Sequence, residues 1–308
     1  METRFDIAAL GEAMLEFNQT RPGEAQYLQG FGGDTSNAVI AAARAGARTC
    51  YLTRIGADWF GDELMALWQR EGVDASAVER ERDTHTGIYF VTHRDSGHEF
   101  SYLRAGSAAS RMTPAWLPRE QVRQAKILHV SGISLAISPT ARETVFEAMR
   151  EAREAGTQVS FDSNLRLRLW PLEVARAAIT QAVTLCDLFL PSLDDAVALS
   201  GLNSPDAILD WAHALGAPQV VLKLGADGAL ASDGTRRQRI DGLPVPALDA
   251  TGAGDCFCGN LLARLAGGDT LWTAAHYANA AAALAVQGFG AVAPLPYRHQ
   301  VEALLCDR

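Results

Sequence analysis

Along the second half of the chain, short continuous apolar runs alternate with longer stretches in which apolar residues recur every three or four positions. The runs have the pattern of strands buried on both faces, and the longer stretches that of helices with one apolar side. Strands are therefore expected at 127–131, 158–161, 188–190 and 220–224, and helices at 139–155, 172–185, near 193–199 and at 206–215. The N-terminal part begins the same way, with a strand at 5–10, a helix at 38–45, a strand at 49–55 and a helix at 63–71. Strands alternating with helices imply an α/β protein with a mostly parallel sheet covered on both faces, in which ligands bind at the carboxyl ends of the strands.

Two stretches break this alternation. Residues 14–31 alternate and turn at Arg21-Pro22-Gly23-Glu24, and residues 86–104 carry extended runs at 88–92 and 99–103 around Arg94-Asp95-Ser96-Gly97-His98. Both read as hairpins. Together they predict a small sheet apart from the main layer, either a lid or a peripheral cover whose tyrosines protect the core. Residues two apart on a strand point the same way, which would put Tyr102 and Arg104 on one face. No repeat, low-complexity tract or charged linker divides the rest, so a single domain over residues 1–308 is expected.

Composition narrows the class. At 308 residues, 48% hydrophobic and 20% charged, the chain can bury a sizeable core and gives no sign of disorder. A net charge of −9 argues against non-specific nucleic-acid binding, and it makes arginines gathered near a pocket more telling. The five cysteines are odd in number and scattered, and Cys256 and Cys258 do not share a helix face, so reduced thiols in a cytoplasm are expected rather than zinc or disulfides. The N-terminus has no signal-peptide core and no apolar run is long enough to span a membrane.

The chemistry concentrates at Pro244-Val245-Pro246-Ala247-Leu248-Asp249-Ala250-Thr251-Gly252-Ala253-Gly254-Asp255, which leads into an apolar helical run at 256–265. Gly252, Ala253 and Gly254 form a turn at a helix N-terminus, where unpaired N–H groups and the positive end of the helix dipole attract an anion. Asp255 lies in the same first turn. A carboxylate there serves the dipole, or takes a proton from a hydroxyl that attacks a bound phosphoryl group. A second glycine-led turn, Gly32-Gly33-Asp34-Thr35-Ser36-Asn37, precedes the helix at 38–45; its polar residues can act as caps, or Asp34 and Asn37 can face a ligand. After Phe161-Asp162-Ser163-Asn164 closes a strand, residues 165–170 alternate strictly, which would put Arg166 and Arg168 on one side, as an anion site or a salt-bridged rim. Tyr277-Ala278-Asn279-Ala280-Ala281-Ala282 is a helix with small residues, suited to an adenine or to close helix packing.

The 249–255 run resembles the Asp-Thr-Thr-Gly-Ala-Gly-Asp signature of the ribokinase-like (PfkB-type) carbohydrate kinases, with Ala250 in place of one threonine. The resemblance spans almost the whole chain and implies the family's three-layer fold with a β lid. Within the family, Gly32 to Asn37, Tyr102-Leu103-Arg104, Ser131-Gly132-Ile133-Ser134-Leu135-Ala136-Ile137, 164–170 and Leu193-Asp194-Asp195 look most like 2-keto-3-deoxygluconate kinases. It implies ATP and Mg²⁺, with Asp255 as general base and residues 252–254 as anion hole. The sugar acid would be held by Gly33, Asp34, Asn37, Tyr89, Tyr102, Arg104 and Arg166. ATP would lie near Asn164, Arg166, Ser192, Lys223, Gly225, Ala226, Gly228, Thr251, Gly252, Gly254 and Asn279. Family members often carry Asn-x-x-Glu where this chain has Ser192 and Asp195, so Asp195 is the candidate metal residue with a shorter reach. An acidic sugar also gives the two arginines a carboxylate to neutralise, which a neutral hexose would not.

Other chemistries are poorly supported. There is no Walker-type phosphate loop, no protein-kinase set, no dinucleotide fingerprint after the first strand, and no His-Glu-x-x-His spacing or nucleophile elbow among the seven histidines. The rivals are a kinase for fructose, ribose or a nucleoside, which would keep Asp255 without needing the arginines, and a sugar-acid sensor that has lost turnover. An exposed lid sheet also suggests a homo-oligomer.

Overall fold

The computed structural model describes residues 3–94 and 97–306. Its strands are β1 (Phe5–Leu10), β2 (Met14–Gln19), β3 (Tyr27–Gly32), β4 (Thr49–Leu52), β5 (Arg54–Gly56), β6 (Glu79–Glu81), β7 (Ile88–Arg94) and β8 (Gly97–Leu103), then β9 (Ala125–Ser131), β10 (Gln158–Asp162), β11 (Leu188–Phe189), β12 (Gln219–Lys223), β13 (Gly228–Ser232) and β14 (Arg237–Asp241). The helices are α1 (Asp34–Arg44), α2 (Trp59–Arg70), α3 (Arg119–Arg123), α4 (Gly132–Ala136), α5 (Pro139–Ala155) and α6 (Leu172–Val183), then α7 (Leu193–Ser200), α8 (Pro205–Ala214), α9 (Ala253–Ala266), α10 (Leu271–Ala285) and α11 (Arg298–Cys306).

An eight-stranded sheet in the order β14-β13-β12-β11-β10-β9-β1-β4 forms the middle layer. Strands β4, β1, β9, β10, β11 and β12 run parallel, and β13 and β14 add an antiparallel edge. Alternate residues of one strand feed opposite faces: Leu128 and Val130 of β9 pack with α5, α6 and α8, whereas Ile127 packs with α1, α9 and α10. Both faces are thus covered, the arrangement a parallel sheet requires. Strand β1 is buried almost throughout because it lies inside the sheet between β9 and β4.

The two expected hairpins form one four-stranded sheet, β3-β2-β7-β8, separate from the main one. Its centre is the parallel pair β2–β7, with Phe17 stacked on Phe90 at 5.3 Å between centroids. Residues Asp95 and Ser96 of the expected turn lie outside the described residues.

Several expectations are corrected. The expected strand at 49–55 is two, because β5 leaves the main sheet to pair with β6. Helix α1 begins at Asp34 rather than residue 38, with Gly33 at its N-cap, so Asp34 and Asn37 are helical residues. Helix α2 begins at Trp59, capped by Asp58, whose carboxylate accepts from the Gly61 N–H at 2.8 Å. Residues 165–170 are not extended: they turn, with the Leu169 N–H donating to the Arg166 carbonyl at 2.9 Å, so strict alternation does not order Arg166 and Arg168. Strand β8 ends at Leu103, so Arg104 escapes the strand geometry expected to align it with Tyr102. The β13–β14 hairpin and α11 are additions that the apolar pattern did not announce.

Candidate active site

Helix α9 begins at the expected turn. Gly252 is its N-cap at φ 73°, a left-handed conformation that glycine adopts without penalty. A Cβ on Gly252 would also stand 3.1 Å from the backbone of Ala291. The turn is braced by Asp249, whose Oδ1 accepts from the Thr251 N–H at 2.9 Å and its hydroxyl at 2.7 Å, while Oδ2 accepts from the Gly290 N–H at 2.8 Å. Ala253 and Gly254 are the first helical residues; first-turn N–H groups have no partners within a helix, and the Ala253 N–H makes a long bond to the Ala250 carbonyl at 3.2 Å.

Asp255, half-buried in that first turn, accepts a hydrogen bond from Asn37 Nδ2 at 2.8 Å. What lets α1 come so near is Gly259: a Cβ there would collide with the Ala38 carbonyl of α1. Burial, then the charge of Asp34, pushes the Asp255 carboxyl up to about 7; the Asn37 bond opposes this, Asp162 adds to it, and Lys223 opposes it. Asp34, 8% exposed, is also raised, chiefly by burial, with the charge of Arg166 acting against the rise. Asn164 Nδ2 donates to Asp34 Oδ2 at 2.9 Å. Asn164 is held at φ 29°, and it is the one non-glycine residue at positive φ among the described residues. Such a conformation is uncommon and tends to mark working positions. Two carboxylates from helices far apart in sequence, each met by an asparagine amide, therefore share one small volume.

Residues of the four-stranded sheet approach this cluster through Tyr89. The Tyr89 hydroxyl donates to Glu16 Oε2 at 2.5 Å, its ring lies 5.7 Å from that of Tyr102, and a Cβ on Gly32 would strike it. Asp255 is close enough to add to the upward push on the Tyr89 phenol, which burial dominates. Tyr102 is 40% exposed. Arg104 turns inward to an ion pair with Glu12 Oε2 at 2.5 Å, and Glu12 Oε1 accepts from the Ser107 hydroxyl at 2.6 Å. Gly33, at φ 108°, leaves no space for a side chain beside the Glu12 carbonyl. Glu12 stands just past the end of β1, so the rule about carboxyl ends of strands was the signal for it.

The expected nucleotide residues divide into two groups. Gly225, Ala226 and Thr251 are exposed, and Gly228, at φ 91°, would collide with the Ile240 carbonyl if it bore a Cβ, so this backbone is open on one side and tightly closed on the other. Ser192, Asp195 and Asn279 are already engaged in the fold. Ser192 caps α7 by accepting from the Asp195 N–H at 3.2 Å. Asp195 Oδ2 accepts from the Ser163 hydroxyl at 2.8 Å and the Leu165 N–H at 3.0 Å, which shapes the turn carrying Asn164 and Arg166. Asn279 Nδ2 donates to the Asp241 carbonyl at 2.9 Å. Arg166 Nη1 donates to the Leu165 carbonyl at 2.9 Å. Lys223 is paired with Asp162 at 2.8 Å and lies under Gly254.

A phosphate ligand fits this donor set, because the glycine-led N-terminus of α9 offers its first-turn N–H groups and the helix dipole, with the Lys223 ammonium close by Gly254. Mg²⁺ fits only as a companion of the phosphates: among the described residues no three His, Cys, Asp or Glu side chains gather to hold a metal. Mg²⁺ commonly binds through one or two carboxylates with substrate phosphates and water.

Residues 4–298 match the pfkB family carbohydrate kinase profile. The chain is 32% identical over 310 residues, 98% of it and 96% of the relative, to a Bacillus subtilis (strain 168) protein named 2-dehydro-3-deoxygluconokinase. It is 31% identical over 316 residues, 97% of it and 96% of the relative, to an Arabidopsis thaliana protein named probable fructokinase-4. Among solved structures, a PfkB protein from Polaromonas sp. JS666 superposes with a TM-score of 0.89 at 33% identity, covering 97% of this chain and 99% of the other. With its fold, its glycine-led helix terminus and these relatives in agreement, the chain belongs to the pfkB family of carbohydrate kinases.

Proposed function

We propose that this chain transfers the γ-phosphoryl group of ATP to the 6-hydroxyl of 2-keto-3-deoxygluconate, giving 2-keto-3-deoxy-6-phosphogluconate and ADP. The observation that carries the reading is Asp255: a carboxylate with its proton affinity raised to about 7, set in the first turn of a helix whose N-terminus suits a phosphoryl group. A base works best when its pKa lies near the working pH.

In this reading Asp255 accepts the proton of the 6-hydroxyl as that oxygen attacks phosphorus in line. The N–H groups of residues 252–254 receive the charge that develops on the transferred group, and Asn37 holds the Asp255 carboxylate in place. Asp34 takes sugar hydroxyls together with Asn164, expected on the nucleotide side but drawn to the sugar by its bond to Asp34, and Gly225, Ala226 and Thr251 line the nucleotide side. Bound Mg²⁺ supplies charge neutralisation of the phosphates. The four-stranded sheet acts as a lid of a single domain and excludes water as a competing acceptor.

The substrate class rests on Arg104 and Arg166. Arg166 lies near enough to Asp34 for its charge to act there, and Arg104 sits at the base of the lid. A hydrogen bond to a charged group contributes about 1.5–3 kcal/mol, so each arginine would favour an acid over a neutral sugar by about ten- to a hundredfold. The second reading, a fructokinase-type enzyme, draws on the Glu12 ion pair, which neutralises Arg104. ADP release with 2-keto-3-deoxygluconate, its galactonate epimer, gluconate, fructose and ribose, repeated with Arg104→Ala, separates the two. Turnover confined to keto-deoxy acids and lost with the arginine supports the proposal; equal turnover of fructose overturns it.

The sheet leaves Leu28 69% exposed on the face it shares with Phe100 and Tyr102, and Leu103 57% exposed on the opposite face with Tyr27; apolar side chains open on both faces support a homo-oligomer through this sheet, testable by light scattering on the eluting protein. Four buried cysteines in no disulfide, Cys50, Cys186, Cys256 and Cys258, accord with a reducing cytoplasm, and no helix among the described residues is long and apolar enough to cross a membrane.

A further inference from the structure

Beneath the N-terminus of α9 lies a polar cluster that the proposed chemistry does not use directly. Lys223, the last residue of β12, reaches over β11 to Asp162 at the end of β10, with Nζ 2.8 Å from Oδ2. Cys258 Sγ, from α9, stands 3.6 Å from the same nitrogen and 3.4 Å from the same oxygen. The ammonium group is 3.5 Å from where a Cβ on Gly254 would be, so it sits directly under the turn that begins α9. The two side chains are 12% and 5% exposed. A buried pair of this kind seldom adds more stability than apolar residues of the same volume would, so its presence asks for another reason.

The neighbourhood supplies one. Asp255 faces Asp34 from α1, Asp162 from β10, Lys223 from β12 and Tyr89 from β7, with Cys256 and Cys258 on its own helix. Asp195 bears on Lys223 and Arg166 on Asp34. His129 of β9 faces Asp162 and Lys223; burial holds its imidazole down at about 4, so it adds no charge near neutrality. Among the charges bearing most on Asp255, two are carboxylates and one is the ammonium group of Lys223. The carboxylates favour the protonated base, and Lys223 is the cation among these charges that opposes them.

We propose that Lys223 is a positioning residue for the base: held by Asp162 and Cys258 under the first turn of α9, its charge keeps Asp255 available as a carboxylate among the other acids of the site. The inference rests on the reading of Asp255 as the base and deepens it. Lys223 acts through Asp255, and Asp162, which fixes the lysine, pushes Asp255 the other way and by itself more than offsets it. The two partners push Asp255 in opposite directions, so the Asp255 midpoint reads the lysine charge directly, as unfolding stability does not.

The test compares the wild type, Asp162→Asn and Asp162→Asn/Lys223→Met. The carboxyl carbon of Asp255 is titrated by NMR in the substrate-free protein, its resonance assigned by its loss in Asp255→Asn, and the pH profile of kcat/KM is recorded alongside. A charge within a few ångströms shifts a carboxyl by about 1–3 pH units, so Asp162→Asn, which frees the lysine charge, lowers the Asp255 midpoint by about one unit or more. Removing that charge as well returns the midpoint toward its wild-type position. An unmoved midpoint in the single variant, or one that stays low in the double variant, overturns the proposal. If the double variant does not fold, Asp162→Asn/Lys223→Gln, which keeps a hydrogen bond across the strands, makes the same comparison. Opposed shifts in the NMR titration support it even if no sugar is turned over, an outcome that would instead sink the kinase reading.

Discussion

Replacing Asp255 by Asn puts activity and stability in opposition, and both effects have a size. The carboxyl moves from an ordinary 3.8 to about 7 in the folded protein. At 1.36 kcal/mol per unit, a shift of about three units means that the ionised form costs the folded state about 4 kcal/mol, an upper figure because cleft water screens the half-buried group. The sign follows from linkage. The folded state holds the proton more tightly than the unfolded chain, so the cost is absent below the unfolded value, grows as the pH rises, and is complete above about 7. Asparagine carries no charge at any pH and keeps an amide beside Asn37. The variant should therefore be more stable than the wild type by about 1–4 kcal/mol at about pH 8, with a smaller gain at about pH 5. Its turnover should fall about 10²–10⁴-fold with little change in KM, as expected for loss of a general base. Urea unfolding at the two pH values, with coupled ADP release, measures both. A variant that is less stable at the higher pH would refute the physical account of the pKa, and one that keeps near-normal turnover would refute the assignment of Asp255 as the base.

Three further outcomes follow from the same geometry. The acid limb of the kcat/KM profile should lie near pH 7, with activity falling about tenfold per unit below it; a limb near pH 4 would mean that Asp255 is not the titrating base. Gly252→Ala should cost about 1–2 kcal/mol, because it forces φ 73° on an L-residue and crowds Ala291; a thermal shift of less than a degree would contradict the tight contact. Glu71→Ala should cost about 3–5 kcal/mol in urea unfolding: Arg44 is paired bidentately with Glu71, holds the Val292 and Leu295 carbonyls, and would be left buried without its counter-charge. A loss typical of a surface pair, below about 1 kcal/mol, would show that Arg44 finds water instead.

What could be read from the chain alone was whatever local pattern dictates. Apolar runs and helical periodicity located β1, α5 and β10 to within a residue, because a buried strand or an amphipathic helix must display its period whatever it packs against. Gly252 and Asp255 were legible for the same reason: a glycine-led turn before a helix is an anion site by virtue of its own backbone. Strict alternation misled at 165–170, where Asp195 binds the Ser163 hydroxyl and the Leu165 N–H and turns a segment that would otherwise read as extended.

Only the tertiary structure decided what each charge does. Asn37 meets Asp255 across 218 positions of sequence because Gly259 lets two helices touch, and Asn164 meets Asp34 across 130 because β10 ends beside α1. Arg104 proved to be paired with Glu12, and Lys223 with Asp162, neither of which local pattern could anticipate. Proton affinity depends on burial and on the charges within a few ångströms, and both are set by how distant segments pack. The sequence determined where a carboxylate would stand at the end of a helix; the packing around it decided that this carboxylate would hold its proton until about pH 7.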